Sequence, residues 1–189
     1  MRYSQIRSMD ISNGEGLGAS LFVQGCPHHC KNCFNPETWN FNDGKEWTEE
    51  TEKEFLKLID RPYIKRISIL GGSPLAKQNL DGVLNLVNQI RLLFPEKSIW
   101  LYTGYTLNIY EQYNCDHLII ETLPHGNTED DFKREKIIRK CDVVVDGRFE
   151  EDKKDLSLEF RGSSNQRIID IQQSLNKGEL VLWHRKHTN

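Results

Sequence analysis

Nothing in the 189 residues approaches the run of about 20 apolar side chains that a helix needs to cross a bilayer. The N-terminal MRYSQIRSMD also lacks the apolar region of a signal peptide. No membrane association is therefore expected, and the cytoplasm is the expected location. An excess of one charge is missing too: 25 Lys and Arg are mixed with 28 Asp and Glu, for a net charge of -3. Without a basic stripe, little would be gained from counterion release, so no nucleic-acid partner is expected. Low-complexity linkers, internal repeats and a domain boundary are likewise lacking. With 37% hydrophobic and 28% charged side chains, the chain has the composition of one compact domain with its own core, which needs no metal merely to fold.

Cysteine is scarce, five in all, but three of the five fall within eleven residues, GCPHHCKNCFN, Gly25 to Asn35. Disulfides are rare in a reducing cytosol, so a tight cluster there points to a metal or redox site rather than a covalent staple. Cys115 and Cys141 stand alone and read as buried thiols behaving as small hydrophobes.

The rest of the chain repeats one rhythm. GASLFVQG is an apolar run closing on glycine, and the cysteines follow it directly, which places them on a loop after a strand. TEETEKEFLKLID predicts a helix capped by Thr48, with Phe55, Leu56 and Ile59 on one face. KRISILGG predicts a second strand ending in glycines. NLDGVLNLVNQIRLLF predicts a longer helix through Leu80, Val83, Leu84, Val87 and Ile90. SIWLYTG repeats the strand-to-glycine ending, TEDDFKREKIIRK opens with a capping box at Thr128 and Asp131, and DVVVDG predicts a further strand. HLIIETL is too short for its periodicity to separate strand from helix; after Gly162 the pattern weakens, and HRKHTN reads as a solvated tail. Alternation of this kind predicts an α/β fold with a mostly parallel sheet and helical crossovers. Ligands on such sheets bind beyond the carboxyl ends of the strands, where the glycine endings fall.

The spacing C-x3-C-x2-C lets one loop supply Cys26, Cys30 and Cys33 to three corners of an iron–sulfur cube, leaving the fourth iron without a protein thiolate. A metal with an open position can bind a substrate. The competing reading is a closed zinc site completed by His28 or His29. Against it stand the apolar Phe34 beside the third cysteine, the absence of a second ligand pair, and two further glycine loops, LGGSPL and YTGY, where backbone can approach a bound molecule.

Cys26, Cys30 and Cys33 followed by Phe34 match the C-x3-C-x2-C-aromatic signature of radical S-adenosylmethionine (SAM) enzymes, and Gly71–Pro74, GGSP, stands at the place of their methionine-binding motif. DISNGEG, CFNPETWN, GGSPL, WLYTGY and VDGRFEEDKKDLSLEFRGSSNQR resemble one member family, the activating proteins of anaerobic ribonucleoside-triphosphate reductase, over roughly residues 1 to 170. The resemblance implies a partial (β/α) barrel in one radical SAM domain, residues 1–189, with 1–170 as the core and 171–189 as a C-terminal extension. It implies a [4Fe-4S] cluster on Cys26, Cys30 and Cys33, and SAM as second cofactor, bound through its amino and carboxylate groups at the open iron. An electron from reduced flavodoxin or a similar donor would cleave SAM to methionine and a 5′-deoxyadenosyl radical, which takes hydrogen from a glycine of the partner reductase.

By the same resemblance, Asn32, Cys33 and Phe34 lie against SAM, Gly71, Gly72 and Ser73 hold its methionine part, and Thr103 and Gly104 belong to the same pocket. No side chain is assigned as a catalytic acid or base, because cluster and SAM carry the chemistry and the protein positions the radical against one C–H bond. Ser73 departs from the family, which usually carries an acidic residue there. Arg161–Gln166, RGSSNQ, reads either as a grip on cofactor or partner or as a polar turn. His28 and His29 read as loop residues that face solvent or tune the cluster, and Trp39, Trp47, Trp100 and Trp183 as core or interface. A related radical enzyme acting on another glycyl-radical protein or on a small molecule, and a zinc-binding interaction module, are the alternatives.

Overall fold

The computed structural model of the chain describes residues 1–111, 118–123 and 128–185. Among them, the elements run β1 (Arg2–Asp10), β2 (Gly18–Val23), β3 (Lys45–Glu46), α1 (Glu49–Ile59), β4 (Arg66–Gly71), α2 (Leu80–Leu93), β5 (Ser98–Tyr102), β6 (Thr106–Glu111), β7 (Leu118–Leu123), α3 (Glu129–Arg139), β8 (Val143–Asp146), β9 (Arg167–Asp170) and α4 (Ile171–Lys177). Seven strands form one sheet in the order β3-β1-β2-β4-β5-β8-β9, and β6 and β7 form a separate antiparallel pair.

Both faces of the central strands are covered, which is why they read as nearly continuous apolar runs. Alternate residues point to opposite faces. Ala19, Leu21 and Val23 of β2, Ile67 and Ile69 of β4, Ile99 and Leu101 of β5 and Val144 of β8 share one buried cluster with Phe55 and Ile59 of α1, Val83, Leu86, Val87 and Ile90 of α2, and Ile137 and Ile138 of α3. The helices therefore cover one face. Ser20, Phe22, Ser68, Leu70, Trp100 and Tyr102 turn to the other face, in register across β2, β4 and β5. That second face is partly filled by a small cluster of Trp100, Val143, Val145 and Ile168, against which Tyr102, Phe160 and Trp183 pack.

The expected caps form: the Thr48 hydroxyl accepts the Thr51 N–H at 3.2 Å, and Thr128 and Asp131 make a reciprocal capping box. Cys141 is fully buried and its thiol donates to the Ile137 carbonyl at 3.3 Å, as expected for a small hydrophobe. Cys115 lies outside the described residues.

The mostly parallel sheet is corrected. β2, β4, β5 and β8 pair in parallel, but β1 pairs antiparallel with β2 and with β3, and β9 antiparallel with β8, so that with β6–β7 the antiparallel pairings outnumber the parallel ones. The parallel centre needs helical crossovers, whereas antiparallel neighbours need only short returns. β1 escapes a reading by hydrophobicity because RYSQIRSMD is largely polar and mostly half-buried or exposed. The weak pattern after Gly162 still carries structure: β9 and α4 follow, Ile169 and Ile171 are fully buried, and the chain returns alongside β9 through Asp170 N–H to the Val181 carbonyl (2.9 Å) and Trp183 N–H to the Ile168 carbonyl (2.8 Å). Of HRKHTN, only His184 and Arg185 lie within the described residues.

Candidate metal centre

The cysteine loop leaves β2 through Gln24 and Gly25. Gly25 has φ 93°, and a Cβ there would stand 2.0 Å from the Phe41 ring, so only glycine turns the chain at this point. The far side of the loop is pinned back onto its start: Gly25 N–H donates to the Thr38 carbonyl at 2.8 Å, Cys26 N–H to Trp39 at 3.0 Å, and the Gln24 side-chain amide to the carbonyls of Glu37 (2.9 Å) and Asn40 (2.8 Å). Between these pins His29 and Asn32 adopt left-handed backbone, φ 46° and 53°, a conformation that non-glycine residues reach only when their surroundings hold them there. The result is that Cys26, Cys30 and Cys33 line one cavity of about 440 Å³ on the sheet face opposite the helices.

The loop after β4 closes against the cysteine loop. Gly72 N–H donates to the Val23 carbonyl and Ser73 N–H to the Gly25 carbonyl, both at 2.8 Å, while the buried Asn79 amide donates to Gln24 and Ser73 carbonyls, both at 3.0 Å. A Cβ on Gly72 would stand 2.5 Å from the Gly25 oxygen. The second glycine of GGSP is thus needed to bring two strand ends together.

Placement of the expected site residues is uneven. Cys33, Phe34, Gly71, Gly72, Thr103 and Gly104 line the cavity together with Cys26 and Cys30. Asn32 is exposed on the loop and is not among the lining residues. Ser73 is fully buried outside the cavity wall, its hydroxyl enclosed without a hydrogen-bond partner. Of RGSSNQ, Arg161, Gly162 and Gln166 reach the cavity. Gln166 ties this segment to the end of β8, accepting from Gly162 N–H (2.9 Å) and donating to the Gly147 carbonyl (3.1 Å).

The charge of the cavity is one-sided. Arg7, Arg148 and Arg161 line it, and no carboxylate side chain does among the described residues. Burial pushes the Cys26 thiol up, and Cys30 and Cys33 push the same way against the backbone N–H groups of His28 and His29. Cys30 is also pushed up by burial and by Cys33, opposed by the Phe149 N–H and by Arg148. Crowded thiols of this kind lose their protons readily only to a cationic centre that offsets their repulsion. His28 sits edge-on to Tyr105 at 4.8 Å; its pKa is pushed down to about 4 by burial and then by Arg148 and His29, so it is neutral at physiological pH. Two enclosed polar atoms of the wall, His28 Nε2 and Tyr102 Oη, have no hydrogen-bond partner among the described residues. Unpaired buried polar atoms cost free energy, and a polar ligand seated in the cavity supplies what they lack.

The zinc alternative finds no support in this arrangement. A tetrahedral zinc with bonds of ~2.3 Å brings its ligands into mutual contact. Among the described residues no three His, Cys, Asp or Glu side chains, Cys26, Cys30 and Cys33 included, form a group that could hold one ion, whereas the thiolates of a cluster bind separate irons. His28 turns onto Tyr105 and His29 stacks on Trp39 at 4.9 Å.

A part of the site without an obvious sequence signal is the support under DISNGEG. Arg66 of β4, with no exposed surface, donates to the carbonyls of Asp10 and Asn13, both at 2.6 Å, and stands 3.6 Å from the Asp10 carboxylate. Asp10 in turn accepts from Ser20 at 2.8 Å and from the Asn13 amide at 2.6 Å. This network holds Ser12 and Asn13 at the cavity wall. A cation inside the apolar run KRISILGG, with an acid at the head of a glycine loop, is the one hint the sequence offers.

Residues 12–169 match the family described as a 4Fe-4S single cluster domain. Curated relatives named anaerobic ribonucleoside-triphosphate reductase-activating protein include those of Vibrio cholerae (37% identical, 89% of this chain and 97% of the relative), Pasteurella multocida (37%, 92% and 99%) and Escherichia coli K12 (38%, 91% and 100%). A full-length match to these relatives and a thiol-lined cavity where the cluster domain is matched lead to one conclusion: the chain is an iron–sulfur protein belonging to the family of anaerobic ribonucleoside-triphosphate reductase-activating proteins.

Proposed function

We propose that the chain is a radical SAM activase of anaerobic ribonucleoside-triphosphate reductase, built as a single domain on a partial (β/α) barrel and working in the cytoplasm with reduced flavodoxin or a similar donor. Among the described residues no helix is long and apolar enough to cross a membrane. The observation that carries the reading is one cavity into which three thiols, the glycine ends of β4 and β5 and three arginines converge, without a carboxylate among the described residues. Its size, about 440 Å³, suits a cofactor-sized ligand, and its unpaired His28 and Tyr102 atoms call for a polar one.

When bound, the [4Fe-4S] cluster and SAM together supply one electron and a 5′-deoxyadenosyl radical able to take hydrogen from a partner glycine. Cys26, Cys30 and Cys33 would hold three corners of the cluster. Gly71 and Gly72 present backbone, not side chain, to the methionine part of SAM, with Thr103 and Gly104 beside them. Arg148, whose charge favours the Cys30 thiolate, offsets the negative charge that three thiolates and a carboxylate bring. Phe34 packs edge-on against Phe149 at 5.1 Å, and with Leu156, Leu158 and Phe160 forms an apolar wall at the cavity mouth, against which a docked partner would exclude water and competing hydrogen donors. No side chain needs to act as acid or base.

The reading is tested by anaerobic reconstitution with iron and sulfide, reduction, and incubation with SAM and the reductase. A glycyl-radical spin signal is the expected result. Four irons bound and SAM cleaved without that signal would assign the chain to a different glycyl-radical partner or a small molecule.

A further inference from the structure

Of the two unpartnered polar atoms in the cavity wall, Tyr102 Oη belongs to β5, whereas His28 Nε2 sits on the cysteine loop itself, two residues from Cys26 and two from Cys30. The His28 ring is clamped. A Cβ on Gly104 would stand 2.4 Å from its Cδ2 and 2.7 Å from Nε2, so glycine just beyond β5 is what lets the imidazole come down onto that backbone. The ring also stands edge-on to Tyr105 at 4.8 Å, and the Arg134 guanidinium lies over Tyr105 at 5.0 Å while donating to the Leu75 carbonyl at 3.0 Å. An enclosed nitrogen fixed so closely and left unpaired costs free energy unless something in the cavity completes it.

The neighbouring thiols are already met by backbone. N–H groups of His28 and His29 face Cys26, that of Phe149 faces Cys30, and Asn35 N–H donates to the Cys33 sulfur at 3.4 Å. The site thus turns donors toward sulfur, and the His28 nitrogen is enclosed beside them with nothing to meet among the described residues.

We propose that His28 donates a hydrogen bond from Nε2–H to a sulfur of the [4Fe-4S] cluster on Cys26, Cys30 and Cys33 and thereby raises the cluster's reduction potential. This bond presupposes the activase reading only in its cluster, not in its partner. Thiolates and sulfides accept hydrogen bonds and donate none, so a nitrogen facing them is paired only in the form that carries its proton on Nε2. The electron added on reduction makes the sulfurs better acceptors, so the bond favours the reduced state, and hydrogen bonds to sulfur are among the levers that set such potentials. The cluster has to take an electron from a donor before it can pass one to SAM, and without this bond that first transfer is harder.

The test uses reconstituted full-length protein holding four irons, titrated electrochemically without SAM and followed by the spin signal of the reduced cluster. His28→Phe, which keeps a ring against Tyr105 and Gly104, should lower the equilibrium constant for reduction by about tenfold or more, about 59 mV for a one-electron couple. His28→Gln, which keeps a donor, should stay within about threefold of the native protein. A second measurement needs no variant: in native protein carrying isotope-labelled histidine, pulsed spin resonance of the reduced cluster should show weak coupling to one imidazole nitrogen. An unchanged potential in His28→Phe, equal shifts in the Phe and Gln variants, or no nitrogen coupling in native protein would overturn the assignment. Loss of SAM affinity in His28→Phe at an unchanged potential would overturn it by giving the nitrogen to SAM instead. Failure of the activase reading shows separately, as no glycyl radical in the reductase from native protein whose cluster is loaded and reduced.

Discussion

The four cysteines among the described residues divide by position. Cys26, Cys30 and Cys33 share a cavity wall, whereas Cys141 is enclosed by the core, its thiol pushed well above its usual range by burial. Alanine at any of the first three is expected to abolish retention of four irons per chain, and Cys141→Ser to keep it; iron analysis and the visible absorption of the reconstituted protein decide. That division was legible from spacing alone, because a three-ligand loop is a local object. Ser73 was not, since its neighbours in sequence are cavity residues while its own side chain turns into protein. Its hydroxyl is buried without a partner, so Ser73→Ala removes no hydrogen bond and should change SAM affinity by less than about threefold, against the ~1 kcal/mol of a real contact. Calorimetric titration giving a hundredfold loss would return Ser73 to the list of ligand contacts.

Among the elements, the sequence disclosed those whose apolar faces are buried and missed those whose role is polar. β2, β4, β5 and β8 with α1 and α2 carry clear patterns because they build the large cluster, and α3 is marked by its capping box. β1 is mostly polar, yet it delivers Asp10 to Arg66 and so fixes the loop before β2. Burial pushes the Asp10 carboxyl up, but hydrogen bonds from Ser20, from the Asn13 side chain and from the backbone of Asn13 and Ser12 outweigh it and hold the group below its usual value. A carboxylate held down in this way stabilises the fold above about pH 3.9, the unfolded value, and that contribution is lost as pH falls through the folded value. Asp10→Asn should therefore flatten the acid limb of a denaturation-versus-pH curve. Asp10→Ala, which strands the fully buried Arg66, is expected to cost about 3–5 kcal/mol at neutral pH by urea unfolding. A cost under ~1 kcal/mol would show that the pair is not what holds the loop.

For the whole molecule, the C-terminal segment is the element most at odds with its weak sequence pattern. Ile171 enters the core, Leu175 and Leu180 pack against it, and Trp183 lies 5.2 Å from Trp100. At about 2 kcal/mol for each large apolar side chain, deletion of residues 171–189 should lower Tm by about 10 °C or more, read by calorimetry; an unchanged Tm would make the segment a true appendage. The meeting of the two strand ends has a wider meaning. Since the Gly25 carbonyl both continues the cysteine loop and accepts the Ser73 N–H, the cysteine loop and the loop after β4 share a peptide unit. Thermal opening of the cysteine loop therefore also loosens the loop after β4, and if the proposed cluster is what holds the cysteine loop closed, amide exchange at Gly72 and Ser73 should slow on iron loading alone. In the proposed activase, oxidative loss of the cluster would then disarm the cofactor pocket in the same event, and a damaged copy would not linger as a SAM-binding decoy.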